Sequence, residues 1–150
     1  MTKDFKLYVS KCAEFCRDNA FLGMNRIDFK FSQVQSDMDS DEGECAFDVV
    51  VSEEYYMAVI TAYPIAYTTW LEGNYKRLGR MILHEICHIL LKPMQEEMMM
   101  DAAPSQLRTL QKIVEKTTQH IAIAIDYHMP KNWWHPKKFG IGVDKANKTK

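Results

Sequence analysis

Residues 84–88 of this 150-residue chain read His-Glu-Ile-Cys-His. If the segment is helical, His84 and His88 lie one turn apart on the same face, so that both imidazoles can bind one metal ion from a single rigid element. Glu85 then projects beside them toward a water bound to that metal. This spacing predicts one zinc ion per chain, with Glu85 as the general base.

Chance and simple packing are the alternatives to this zinc site. With five histidines and ten glutamates in the chain, a random order produces the motif with a probability of about 1%. A metal-free structural domain with two core histidines also needs hydrogen-bond partners for three polar groups in an otherwise apolar helix. We therefore prefer the zinc interpretation.

Composition and charge are those of an ordinary globular domain. The chain is 47% hydrophobic and 26% charged, which argues against disorder and against a coiled coil. A formal net charge of -1 provides no positive field over the whole domain, so we expect no nucleic-acid partner.

We also expect no membrane span and no signal peptide, because the chain has no apolar run of the required kind. The four cysteines are interpreted as reduced thiols, and a cytoplasmic location is expected.

Hydrophobic periodicity predicts a single α+β domain over residues 1–130. Apolar residues spaced three and four apart predict an N-terminal helix over residues 5–21. Alternation of apolar and polar residues predicts strands at 27–31 and 45–52, and β-branched and aromatic residues predict a third strand at 55–63. These strands are expected to form an antiparallel or mixed sheet that is covered by helices.

Two more helices and a tail complete the predicted order. The motif lies in a helix expected over residues 75–91, which Pro93 stops. A last long helix is expected from Pro104 to near Pro130, and residues 131–150 form a basic, partly docked tail. An aromatic cluster at the start of this tail either caps the core or covers the site, and packing is preferred. The cluster consists of Trp133, Trp134 and His135.

The motif and the order of elements resemble the zincin metallopeptidases. A His-Glu-x-x-His helix that follows a sheet is similar to the smallest members, the minigluzincins, and to small standalone phage-associated metallopeptidases. The likeness in element order covers residues 25–128, whereas only the five-residue motif is specific. In metzincins the motif continues with a glycine and a third histidine; here those positions hold Leu91 and Met94, so that branch is excluded.

The resemblance implies a third metal ligand on the helix that follows the motif. Gluzincins supply a glutamate there, and this chain offers Glu115, which the helical period places on a flank with the small residues Thr118 and Ala122. The serine and aspartate that usually follow are replaced by Thr118 and Gln119. The group that orients a zinc histidine is then Asp126, Asp101 or a backbone carbonyl. Other candidates for the third ligand are His120, Glu96, Glu97 and Asp101.

The expected activity is zinc-dependent hydrolysis of peptide bonds. Zinc held by His84, His88 and Glu115 activates a water, and Glu85 takes its proton and passes it to the leaving amine. A peptide or protein substrate is expected along an exposed sheet edge, for which strand 55–63 is the candidate. The alternative is a catalytically silent zincin-like binding or regulatory protein. The sequence leaves the oligomeric state open.

Overall fold

The computed structural model describes residues 1–20, 26–36, 39–40, 43–52 and 57–142. It has an N-terminal helix, a three-stranded mixed sheet and C-terminal helices, so the predicted α+β class is confirmed. The elements in chain order are α1 (Lys3–Asn19), β1 (Arg26–Phe31), β2 (Asp39–Ser40), β3 (Gly43–Glu44), β4 (Phe47–Ser52), β5 (Met57–Ala62), α2 (Pro64–Leu71), α3 (Tyr75–Met100), α4 (Pro104–His128) and a short 3-10 helix (Pro136–Phe139).

The main sheet has the strand order β1-β5-β4, with β1 parallel and β4 antiparallel to β5. The prediction that strand 55–63 is an exposed edge is therefore wrong, because β5 is paired on both sides. Strand β5 carries no charged side chain, whereas β1 carries three and β4 carries Asp48. Charged side chains are typical of edge strands. Among the described strands, β4 has an unpaired edge, and this free edge borders α3. Residues 55–56 of the predicted strand lie outside the described residues.

Helix α1 packs on the core with one apolar face. The hydroxyl of Thr2 caps its start by accepting a hydrogen bond from the backbone N–H of Phe5, at 3.3 Å. Its buried side chains recur every three or four residues and join the main core, as a helix with one apolar stripe requires. They are Phe5, Tyr8, Val9, Cys12, Ala13 and Cys16. All four cysteines of the chain are free thiols.

Helix α3 continues through Pro93 to Met100, so the predicted end at residue 91 is wrong. A proline in a helix removes one backbone hydrogen bond and costs about 3 kcal/mol. Here the seven residues after Pro93 are Met, Gln and Glu, all strong helix formers. The ion pair between Lys92 and Glu96, at 3.0 Å, also spans the proline. These local contributions favour a helix after the proline, and the helix continues to Met100.

Helix α2 occupies residues for which no element was predicted. Pro64 follows β5 and is the first residue of this helix, a position where the missing N–H costs nothing. Its Trp70 is buried against the ring of Tyr8.

None of the helices in the described ranges is long and apolar enough to cross a membrane.

The segment after α4 packs on the core. Trp133 is 2% exposed, and its indole N–H donates a hydrogen bond to Asp126 Oδ1 at 2.8 Å. The hydroxyl of Tyr8 donates to the carbonyl of Trp134 at 2.7 Å. Trp133 therefore caps the core, as the preferred interpretation expects. Residues 143–150 of the predicted tail lie outside the described residues.

We predict that Gly79→Ala destabilises the fold, although alanine favours a helix over glycine by about 1 kcal/mol. A Cβ atom at position 79 would lie 2.5 Å from Cβ of Trp134 and 3.4 Å from Cη2 of Trp133, and such overpacking costs about 1–3 kcal/mol. The free energy of unfolding in urea measures the effect. Gly142→Ala is the control, because its Cβ would meet no atom within 4 Å. Equal stability of both variants would contradict the packing.

Candidate metal centre

Helix α3 presents both histidines of the motif on the face that borders α4. The Nε2 atoms of His84 and His88 lie 3.0 Å apart. Their side chains are 17% and 20% exposed, so both rings are largely shielded while their Nε2 edges converge. This is the arrangement that the four-residue spacing predicts.

Helix α4 brings Glu115 to the same point. Its Oε1 lies 2.8 Å from Nε2 of His84, and its Oε2 lies 3.2 Å from Nε2 of His88. Among the described residues, one set of three His, Cys, Asp or Glu side chains has ligand atoms close enough to hold a metal ion, within 4.8 Å of one another. That set is His84, His88 and Glu115, the three residues predicted as metal ligands. The other candidates, His120, Glu96, Glu97 and Asp101, do not belong to it.

Small residues let α4 approach α3 closely enough for this contact. Thr118 is fully buried and Ala122 nearly so, on the flank of α4 that also carries Glu115. At the other end of the helix pair, Arg80 of α3 donates two hydrogen bonds to Oδ2 of Asp126, at 2.6 and 2.9 Å. The contacts Arg80–Asp126 and His88–Glu115 show that the two helices run antiparallel.

The hydrogen bonds within this group shift the pKa values of its members. Hydrogen bonds from His84 and His88 hold the pKa of Glu115 well below its ordinary value. Burial lowers the pKa of His84, but hydrogen bonding to Glu115 and the charges of Glu85 and Glu115 outweigh burial and raise that pKa. Both shifts have the same meaning: the group stabilises a positive charge at the point where the three side chains meet.

The donor atoms fit a divalent metal ion. Two nitrogens and a carboxylate oxygen are ligands that zinc takes with one position left open, and bond lengths of about 2.0–2.1 Å in a tetrahedron put neighbouring donors about 3.3 Å apart. The observed separations of 2.8, 3.0 and 3.2 Å are close to that spacing. We conclude that His84, His88 and Glu115 can hold one metal ion.

The outer nitrogens of the two histidines have different partners. Nδ1 of His88 lies 3.4 Å from the hydroxyl oxygen of Thr118, which itself donates to the carbonyl of Val114 at 2.9 Å. Nδ1 of His84 is buried and has no hydrogen-bond partner among the described residues. Asp126, considered as an orienting group, is instead bonded to Arg80 and Trp133. The side chain of Gln119 lies near His84, and its interaction with this histidine helps to raise the pKa of His84.

Glu85 lies on the side of the group that faces β4. Burial raises the pKa of Glu85 to about 8; the charge of His84 opposes this shift, and the charges of Asp48 and Glu115 add to it. Cys45, at the start of the same wall, has its pKa raised to about 11 by burial and by the charge of Glu85. Glu85 thus lies between the three converging side chains and the strand edge.

An open cleft of about 1800 Å³ contains all four of these side chains. It is lined by α3, by α4 and by residues 45–51, which include most of β4. Val50, in the middle of this edge strand, is 61% exposed. This wall of the site was not predicted from the sequence. The lack of charge on β5 was the signal that would have placed β5 in the centre and β4 at the edge.

Comparisons of this chain with known protein families, with curated proteins and with solved structures found no match.

We predict that Glu115→Ala and His84→Ala each lower zinc affinity by more than about 100-fold, the upper range for residues that only orient ligands. Zinc should also lose its stabilising effect, which for the unaltered protein is about 2.7 kcal/mol at a zinc concentration 100 times Kd. Competition with a fluorescent chelator measures the affinity. Glu96→Ala, Glu97→Ala and Asp101→Ala are the controls and should bind zinc normally. Loss of zinc in a control variant, and not in Glu115→Ala, would reassign the third ligand.

We predict that Gln119→Glu raises zinc affinity by up to about 10-fold, because a carboxylate near His84 is a stronger acceptor for the imidazole N–H than an amide. Titration calorimetry with zinc measures the change. Gln111→Glu introduces the same charge in the same cleft, on the same helix but away from His84. An equal gain in both variants would show a general effect of charge and contradict the specific role.

Proposed function

We propose that this chain is a zinc-dependent peptidase. The observation that carries the proposal is the convergence of His84 Nε2, His88 Nε2 and the Glu115 carboxylate beside Glu85, in a cleft that one free strand edge borders. A purely structural metal site needs neither an adjacent base nor an open cleft. The donor set of two imidazoles and one carboxylate favours zinc over calcium or magnesium, which prefer oxygen ligands.

In this proposal His84 and His88 would hold the ion through Nε2, and Glu115 would hold it through its carboxylate. When bound, zinc supplies Lewis-acid activation of water and of the peptide carbonyl. Glu85 accepts the proton of the attacking water on a carboxylate oxygen and delivers it to the nitrogen of the leaving amine. The hydrogen bond between Thr118 and Nδ1 of His88 keeps the Nε2 lone pair of that ring directed inward.

The substrate is placed by the free edge of β4. An extended peptide can add to an exposed strand by main-chain hydrogen bonds, and its side chains then alternate toward and away from the site. Residues 47–51 of β4 line the same cleft as the motif. The peptide bond to be cleaved would lie between this edge and the converging side chains, within reach of Glu85.

A catalytically silent zincin-like binding or regulatory protein is the second candidate. Within the described part of the chain, Nδ1 of His84 has no hydrogen-bond partner. This favours the second candidate, since enzymes of this kind orient such nitrogens with a carboxylate or carbonyl. Retention of Glu85 favours the peptidase, because only catalysis needs a base at this position. The two candidates differ in one measurable property, the hydrolysis of peptides by the zinc-loaded protein.

We predict that Glu85→Gln lowers kcat by at least about 100-fold, as expected for loss of a general base. Zinc content and unfolding temperature should be unchanged, because glutamine is nearly isosteric and Glu85 is not a ligand. Hydrolysis of a peptide mixture, followed by mass spectrometry, measures the activity, and zinc is measured by elemental analysis. Glu72→Gln, an exposed change outside the cleft, is the control. Full turnover by Glu85→Gln would show that the base lies elsewhere.

A further inference from the structure

We propose that the cleft is selective for acidic peptides, with a carboxylate side chain on the side of the cleaved peptide bond that faces Lys76 and Arg77 of α3. This inference rests on the proposed peptidase function, and it names the substrate class of the same site. Its basis is the distribution of charge along the cleft.

The cleft concentrates positive charge in a chain that is nearly neutral. Lysine and arginine provide seven of the ten charged side chains on its described lining, whereas the whole chain has 19 basic and 20 acidic residues. Of the three acidic residues, Glu85 and Glu115 belong to the candidate centre and only Asp48 lies apart from it. A cleft lined by one sign of charge attracts ligands of the opposite sign.

The basic side chains lie at both ends of the cleft. Lys76, Arg77 and Arg80 precede the motif on α3, at one end. Lys92 on α3, with Arg108 and Lys112 on α4, lines the other end, because the two helices are antiparallel. Lys116 follows Glu115 directly. The candidate centre therefore lies between two positive regions.

Part of this charge is not neutralised within the described chain. Arg80 is paired with Asp126 and Lys92 with Glu96. Lys76, Arg77 and Lys116 are exposed, and no described carboxylate lies within ion-pair distance of them. These three side chains are available to a ligand.

The arrangement favours a peptide over a nucleic acid. The edge of β4 offers main-chain hydrogen bonds to an extended peptide. Binding of single-stranded nucleic acid commonly uses exposed aromatic rings that stack on bases. The aromatic residue on the described lining is Phe47, which is 3% exposed and offers no face for stacking.

Helix and strand dimensions fix where the acidic residues should lie. Arg77 precedes His84 by seven residues, which is about 10 Å along a helix axis. An extended peptide rises about 3.3 Å per residue. For a peptide that runs along α3, aspartate or glutamate is therefore expected about three residues from the cleaved bond, on the side that faces Arg77.

Binding to the zinc-loaded Glu85→Gln variant tests the inference without depending on turnover. Three fluorescein-labelled probes are compared by anisotropy at low ionic strength: a decapeptide with glutamates three residues from the central bond, its glutamine counterpart, and a single-stranded DNA of matched length. The acidic peptide should bind about tenfold more tightly than its neutral counterpart, and added salt should reduce the difference.

Two pairs of substitutions locate the effect. Lys76→Gln with Arg77→Gln should remove most of the preference for the acidic peptide. Lys3→Gln with Lys131→Gln changes the net charge equally outside the cleft and should leave the preference unchanged. Equal binding of the two peptides, tighter binding of the DNA, or an equal effect of both double variants would overturn the inference.

Turnover by the unaltered protein separates this inference from the proposed function. If acidic and neutral peptides are cleaved with equal kcat/KM, the peptidase proposal stands and the acidic selectivity fails. If no peptide is cleaved but the acidic probe still binds preferentially and Lys76 and Arg77 are required, the peptidase proposal fails and the cleft remains a site for acidic peptides.

Discussion

Two imidazoles and one carboxylate meet at a single point between α3 and α4, and together they favour a positive charge at that point. The Nε2 atoms of His84 and His88 are 3.0 Å apart and both face Glu115. Two N–H groups pointed at each other repel, as do two lone pairs, and the nearby carboxylate adds negative charge. A shared proton or a metal ion resolves this conflict. The fold has to hold two helices at the separation that keeps the three groups together.

The separation of α3 and α4 is set by one contact beside the histidines and by others far from them. Thr118 is buried between the helices beside the site, and Asp126 joins Arg80 at the far end. Asp126 also accepts a hydrogen bond from Trp133, a residue of the segment that follows α4. The next tryptophan packs on Gly79, where α3 has no side chain to obstruct it. The segment that follows α4 thus holds the two helices together from outside the cleft. The geometry of the site therefore depends on residues that do not line the cleft.

The relative positions of residues within one helix could be predicted from the sequence. The relative positions of residues on different elements could be predicted only in part. His84 and His88 were predicted together because their relative position depends on the helix period alone. Glu115 depends on how two helices pack, and the likeness to gluzincins, joined to its place on the flank of α4, was needed to single it out. The helix after Pro93 was missed because one helix breaker was given more weight than the strong helix formers that follow it.

Strand order and charge placement depend on contacts that are distant in sequence. Pairing on both sides makes β5 central, and neither partner strand can be inferred from the alternation pattern of β5 itself. The net charge of -1 argued against a polyanionic partner. Folding nevertheless places Lys76 and Arg77 of α3 in the same cleft as Lys116 of α4, and most of the charged side chains on the described lining of that cleft are basic. The net charge of the chain describes the electrostatic field at long range, whereas a ligand within the cleft interacts with the charges that line the cleft. The charge that bears on recognition is therefore a property of the fold.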